Sequence, residues 1–228
     1  MKTKYFTIAL LFVGASAFAQ TSLETFYDFG RKHVTTTVSM YKADKWGDTF
    51  FFVDHDYTSA DDRANGHHSA WNGTYFEIER NLNFWKDTKL KDLNVMLEYD
   101  GSSFGLSYAG VGLSYCLHAE DYHNVFLAGL QFNYFIGGPL DTVPVKFTCN
   151  WTMNNLLDIE GLCFMGFLDA YGVGSQLTVL SEPQLWYNVG ALFGVENLHI
   201  GTEIECSYNF AGHNGFMCNP CLGAKWVF

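Results

Sequence analysis

The chemistry that this sequence offers is carried by carboxylates that stand two residues away from aromatic rings. Asp54 follows Phe52 at this spacing, and Glu77 and Glu79 follow Tyr75. Residues two apart on a β-strand point to the same face, so each segment brings rings and acids to one surface. Rings stack on flat solutes, and carboxylates accept hydrogen bonds from hydroxyl groups. The pattern indicates a surface that binds a ring-shaped solute carrying hydroxyls.

The elements that must position these residues are β-strands, because apolar and polar residues alternate in runs along the chain. One such run extends from Val145 to Met153, with Lys146 and Thr148 among the polar positions that separate the apolar ones. Runs of about ten residues with this alternation are typical of membrane strands, whose apolar face meets lipid. We expect strands at residues 22–29, 33–43, 48–58, 73–84, 91–101, 106–118, 123–136, 143–153, 160–172, 176–190, 196–210 and 215–228.

This pattern predicts an all-β fold, a single transmembrane antiparallel up-and-down β-barrel of about 12 strands. After residue 20, the chain has no uninterrupted apolar stretch of the roughly 20 residues that a membrane helix needs. A membrane protein without spanning helices must close its sheet, since lipid offers no partners for free backbone groups. The longest predicted connection runs from Thr58 to Asn72, and a turn cluster lies at residues 137–141.

Both ends of the chain carry export signals. Lys2 and Lys4 precede a short apolar run, and Ala17 and Ala19 form a small-x-small cleavage site. We therefore expect a signal peptide at residues 1–19 and an outer-membrane β-barrel at 20–228. The last predicted strand ends on Phe228, which resembles the signal by which the barrel-assembly machinery recognises its clients. The expected location is the outer membrane of a Gram-negative bacterium, with outer-membrane lipid as a partner.

The polar face of the predicted strands would line a lumen. A formal net charge of −11 disfavours a nucleic-acid partner, which needs clustered Lys and Arg. The function that this pattern favours is a channel for facilitated diffusion of small neutral solutes, with no enzyme activity. The alternative is a structural or accessory barrel with a plugged lumen, within an envelope protein complex; a barrel enzyme is a third option. The candidate solute-binding residues are Phe50, Phe52, Asp54, Tyr75, Glu77, Glu79, Glu98, Tyr108, Trp186, Glu203 and Lys225.

Four segments carry a resemblance to a known family. The turn Tyr41–Trp46, the strands around Phe50–Asp54 and Tyr75–Glu79, and the strand ending in Phe228 are similar to parts of the Tsx-like nucleoside-specific channel-forming proteins. The resemblance implies a twelve-stranded monomeric barrel with a narrow lumen that passes nucleosides. The present chain is shorter, has briefer outer loops and contains more Cys than the best-known members of that family.

Other residues that could do chemistry do not converge in the sequence. Asp54, His55 and Asp56 cannot share one metal ion on a regular strand, because His55 points to the opposite face. No nucleophile motif accompanies the Ser and His residues of the strands. We therefore expect no metal, cofactor or catalytic group. Most of the six Cys occupy positions that a small apolar residue would fill, although a Cys206–Cys218 cross-strand bond is an open alternative.

Overall fold

Thirteen antiparallel strand segments form one sheet in the part of the chain that the structure describes. The structure is a computed structural model, and it describes residues 20–103, 105, 107–119, 122–136 and 144–228. The predicted signal peptide at 1–19 and the predicted turn cluster at 137–141 lie outside the described residues. The strands are β1 (Gln20–Asp28), β2 (His33–Asp44), β3 (Gly47–Tyr57), β4 (Trp71–Leu82), β5 (Leu93–Ser102), β6 (Ser107–His118), β7 (Asn124–Ile136), β8 (Val145–Asn154), β9 (Leu162–Val173), β10 (Gln176–Ser181), β11 (Gln184–Tyr187), β12 (Leu198–Tyr208) and β13 (Phe216–Val227).

The sheet closes on itself. Each strand from β1 to β9 pairs with its neighbour along the chain, and β13 pairs with both β12 and β1, where Lys225 lies opposite Glu24. Segments β10 and β11 both pair with β9 and β12, so they share one position in the wall. The thirteen segments therefore make a closed twelve-stranded antiparallel barrel, and the predicted fold class is confirmed. Closure therefore leaves no unpaired edge among the described strands.

The shared position corrects one prediction. A single strand was expected over residues 176–190, but the strand is interrupted at Glu182 and Pro183 and ends at Tyr187. Proline has no backbone N–H to donate to the ladder. Across the gap, Gly166 adopts φ of +151°, and a β-carbon there would lie 2.4 Å from the carbonyl oxygen of Glu182. Only glycine lets the two backbones approach this closely.

Polarity is inverted relative to a water-soluble protein. Most of the buried side chains in the described residues are polar, whereas large apolar side chains cover the outside. On β7, for example, Gln131 is 1% exposed, while its neighbours Phe132 and Tyr134 are 67% and 74% exposed. An apolar belt around a polar interior is what lipid on the outside and water within require. The polar interior of the barrel is therefore its candidate functional region.

The two ends of the barrel differ in their connections. We call the end with the connections 29–32, 58–70, 174–175 and 209–215 the loop end, and the opposite end, where β1 begins and β13 finishes, the termini end. The 58–70 connection contains the five-residue helix α1 (Ala60–Ala64), which Ser59 and Asp62 begin with a capping box. None of the helices in the described residues has the length and apolar character needed to cross a membrane.

Candidate functional site in the barrel lumen

All eleven candidate residues face the lumen, because the strand registers place them on the inward side of the barrel wall. Phe50 lies opposite Glu79, which in turn lies opposite Glu98, and Asp54 lies opposite Tyr75. The structure divides the set by accessibility. Its half-buried members are Phe50, Phe52, Asp54, Tyr75, Glu77 and Glu203, and its buried members are Glu79, Glu98, Tyr108, Trp186 and Lys225. Their role in binding a solute stays a prediction.

Three half-buried rings form a continuous surface on β3 and β4, which we call the aromatic stripe: Phe50, Phe52 and Tyr75. The ring centroids of Phe50 and Phe52 are 5.9 Å apart, and those of Phe52 and Tyr75 are 5.7 Å apart. The Tyr75 hydroxyl lies 3.1 Å from Glu77 Oε2, so a carboxylate borders the stripe. On its other side, Thr37 donates to Asp54 at 2.6 Å. The arrangement offers ring faces beside fixed hydrogen-bond acceptors.

A buried charge network, which we call the lysine network, lies further round the wall. Lys146 Nζ is 2.6 Å from Glu98 Oε1 and 2.7 Å from Asp169 Oδ2, and it donates to the Tyr108 hydroxyl at 3.0 Å. Gln131 Nε2 donates to the second oxygen of Glu98 at 2.8 Å. The side chains of Lys146 and Glu98 are 1% and 0% exposed. Charges in so dry a place are tolerated only because each finds partners.

Glycine on the intervening wall makes the lysine network possible. Lys146 on β8 reaches Glu98 on β5 past two strands, β6 and β7. Gly110 on β6 lies opposite Glu98 on one side and Asn133 on the other. A β-carbon on Gly110 would lie 2.8 Å from Asn133 Oδ1 and 2.9 Å from the Gln131 amide carbon. The absent side chain therefore leaves the space into which both amides lean.

A second buried group links the first and last strands. Lys225 Nζ lies 3.0 Å from Glu24 Oε1 and 4.3 Å from the centroid of the Trp186 ring. The Trp186 indole donates to Gln184 at 2.8 Å, and Gln184 donates to Glu203 at 2.6 Å. Trp186 is 1% exposed. These contacts fill part of the lumen and tie β11, β12, β13 and β1 together.

The loop end of the lumen carries its own ion pairs. Arg31, in the turn after β1, pairs with Glu205 and lies 3.5 Å from Asp28. Thr35 donates to Asp56 at 2.7 Å, and His33 lies 3.7 Å from the same carboxylate. The negative groups continue from this end towards the aromatic stripe.

Carboxylates far outnumber cations along the lumen. The inward-facing acids of the described residues are Glu24, Asp28, Asp48, Asp54, Asp56, Glu77, Glu79, Glu98, Asp100, Asp169, Glu182, Glu203 and Glu205. The inward-facing lysines are Lys146 and Lys225, and Arg31 adds a third cation at the loop end. Asp54 on β3 lies close enough to Glu203 on β12 to act on it electrostatically, so strands that are not neighbours contribute to the same field. A narrow passage with walls of one sign focuses that field and attracts counter-ions.

Sequence reasoning missed several lumen residues. Glu24 and Phe26 lie on β1, where Ser22, Glu24, Phe26 and Asp28 alternate with exposed residues, so the alternation could have revealed them. Asp169 lies on β9, a segment so apolar that its two faces are not distinguishable by composition. Tyr171, two residues further along β9, also faces inward, opposite Lys146 and 6.4 Å from the Tyr108 ring.

A known protein family matches the whole barrel. A family model described as a domain of unknown function, DUF5020, matches residues 20–228. The chain belongs to this family. No curated protein matches the DUF5020 chain significantly. The family found is thus DUF5020, and the resemblance to the Tsx-like nucleoside-specific channels stays a prediction.

One solved structure, that of the NanC porin, resembles the DUF5020 barrel in fold. The match to a structure of the NanC porin spans 90% of this chain and 98% of the porin chain, with 10% sequence identity and a TM-score of 0.52. The outer-membrane protein Omp33 of Acinetobacter baumannii covers 92% and 97% with 12% identity and a TM-score of 0.40. OccAB3 of the same organism covers 92% and 98% with 8% identity and a TM-score of 0.39. At these identities, the likeness to the NanC porin concerns the fold alone.

Proposed function

We propose that this DUF5020 protein is a channel in the outer membrane of a Gram-negative bacterium, through which small neutral and cationic solutes diffuse. The observation that carries the proposal is the lumen itself: a closed barrel whose polar interior presents half-buried aromatic rings beside carboxylates. The fold is shared with a protein named as a porin, which supports a channel role. Weak, successive sites along such a passage allow a solute to enter and to leave.

The charge of the lumen supports discrimination between ions. Thirteen inward-facing acids against two inward-facing lysines and the Arg31 guanidinium at the loop end give a strongly negative interior. Two unit charges 4 Å apart interact by about 4 kcal/mol at the effective dielectric of a protein surface, so an anion meets a substantial barrier. Cations and uncharged molecules do not meet it. We therefore expect selectivity for cations over anions and exclusion of phosphorylated solutes.

Nucleosides are the solute class that the aromatic stripe fits best. A nucleobase is flat and stacks on rings such as Phe52, while ribose hydroxyls donate to carboxylates such as Asp54 and Glu77. A nucleotide presents the same base and sugar but carries a negative phosphate. The resemblance of Phe50–Asp54 and Tyr75–Glu79 to nucleoside-specific channels agrees with this choice.

The test is transport by purified protein in lipid. In planar bilayers with a KCl gradient, the reversal potential should show preference for K⁺. In liposome-swelling assays, uridine and adenosine should enter faster than their monophosphates. Phe52→Ala should lower nucleoside flux, whereas Phe51→Ala, on the outward face of the same strand, is the matched control and should leave it unchanged. Equal flux for nucleosides and nucleotides would contradict the proposal.

Dense packing favours a second function, that of a structural or accessory barrel with a plugged lumen. Met96, Lys146 and Trp186 point inward and are 0%, 1% and 1% exposed, so other lumen side chains enclose them almost completely. A correctly folded barrel that shows no single-channel conductance, with or without nucleosides, would support this second function. Measurable conductance would exclude it.

A further inference from the structure

Four carboxylates meet at the centre of the wall formed by β4 and β5. The register pairs Glu77 with Asp100 and Glu79 with Glu98, so the four side chains form a square on the inward face, which we call the carboxylate square. Glu77, Glu79 and Glu98 each bring one carboxylate oxygen within 4.8 Å of the others. Like charges held this close repel unless a positive charge lies among them.

The ion pairs of the described residues do not supply enough positive charge. Lys146 pairs directly with Glu98 and with Asp169, which lies outside the square. The ion pairs found in the described part of the chain include none to Glu77, Glu79 or Asp100. One ammonium group therefore faces five neighbouring carboxylates.

Buried oxygen atoms without partners point to the same deficit. Among the described residues, Asp100 Oδ1 has no hydrogen-bond partner, whereas its Oδ2 accepts from Tyr75; the residue is 1% exposed. Gln131, also 1% exposed, donates to Glu98, and its Oε1 has no partner in the same part of the chain. Asn133 is 4% exposed, neither of its side-chain polar atoms finds a partner among the described residues, and its Oδ1 lies over Gly110, which is opposite Glu98. A buried oxygen without a donor or a cation is costly, so a cation placed among these oxygens would relieve that cost.

We propose that the carboxylate square binds a hard divalent cation, Ca²⁺, between β4 and β5. All available ligand atoms are oxygens, which suits Ca²⁺ and Mg²⁺ and disfavours metals that prefer nitrogen or sulfur. Ca²⁺ takes 6–8 oxygens at 2.3–2.6 Å in flexible geometry, so two ligands of one ion can stand up to about 5 Å apart. Mg²⁺ demands shorter, near-octahedral contacts and fits the 4.8 Å spread less well.

A Ca²⁺ ion can reach the carboxylate square from the lumen, and it would stabilise the wall where it binds. Glu77 is half-buried beside Tyr75 of the aromatic stripe, so the square opens to the lumen on that side. Once bound, the ion holds two neighbouring strands together and reduces the negative charge of the lumen. Binding does not depend on solute transport, so the site stands or falls separately from the proposed channel.

The experiment measures metal content and stability of the refolded full barrel in detergent. The protein is stripped with EDTA, dialysed against Ca²⁺ or Mg²⁺ in the presence of Na⁺, and assayed by plasma mass spectrometry and by thermal unfolding. The variants are Glu79→Gln, at the buried side of the square, and Glu77→Gln, at its open side. Asp48→Asn is the matched control, because it removes an inward-facing carboxylate that lies outside the square, on β3.

The expected result is one Ca²⁺ per wild-type barrel, a higher Tm with Ca²⁺ than with EDTA, and weaker retention of Mg²⁺. Each Gln variant should weaken Ca²⁺ binding at least about tenfold, because a ligand charge is lost. The control should bind as the wild type does. A wild-type barrel that retains no more Ca²⁺ than the Gln variants overturns the proposal and shows that protons balance the square. If Glu79→Gln fails to fold, Glu77→Gln decides the question.

Discussion

Replacing Lys146 by methionine leaves two buried carboxylates without their cation. Lys146 pairs with Glu98 at 2.6 Å and with Asp169 at 2.7 Å, and the three side chains are 1%, 0% and 9% exposed. Methionine keeps an unbranched chain of similar length but removes the charge. The variant therefore isolates the electrostatic part of the lysine network from its packing.

The expected loss in the free energy of unfolding follows from the burial of these side chains. Removing one partner of a buried ion pair costs about 3–5 kcal/mol, because the remaining charge stays in a dry place. Lys146 serves two carboxylates, so we expect the upper part of that range. Total stabilities are only about 5–15 kcal/mol, and a loss of this size should be obvious in any unfolding curve. Within the described residues, Lys225 forms an ion pair with one carboxylate, that of Glu24. We therefore expect Lys225→Met to lower the free energy of unfolding by the lower part of that range.

The assay is equilibrium unfolding by urea in lipid vesicles at neutral pH with EDTA, followed by tryptophan fluorescence. Lys32→Met is the control, because Lys32 and its partner Asp61 are 64% and 69% exposed, and such surface pairs contribute only about 0–1 kcal/mol. The double variant Lys146→Met/Glu98→Gln should recover part of the loss, since it removes one of the two stranded charges. If Lys146→Met lowers the free energy of unfolding no more than Lys32→Met does, the lysine network does not stabilise the barrel as described.

Three further predictions concern other parts of the barrel. Cys206 and Cys218 lie opposite each other with sulfur atoms 2.6 Å apart, so in an oxidising compartment we expect a disulfide; alkylation of both thiols in unreduced protein would contradict this. Gly166→Ala should destabilise the barrel by more than about 1 kcal/mol, because the new β-carbon meets the Glu182 carbonyl, and the urea midpoint measures the loss. Ser59→Ala should cost about 1 kcal/mol of α1 stability and speed amide exchange in that helix without affecting the strands.

Alternation along the sequence was sufficient to predict the twelve-stranded barrel and the face on which each candidate residue lies. Glu77 and Glu79 could be placed inward because polar residues repeat at every second position of their strand, and a pleated backbone turns that period directly into direction. The same reasoning could not place Asp169, because both faces of β9 are apolar. It also predicted one strand over 176–190, where Pro183 forces a break.

Contacts between side chains from distant strands were decided by the tertiary structure alone. Lys146 and Glu98 are 48 residues apart and meet across two intervening strands, past the space left at Gly110. The sequence determined that both are polar and face the same way. It did not determine the register between strands or the curvature of the wall, because these depend on how every strand pairs once the sheet has closed. The distances between charges, and hence the binding chemistry of the lumen, follow from that closure.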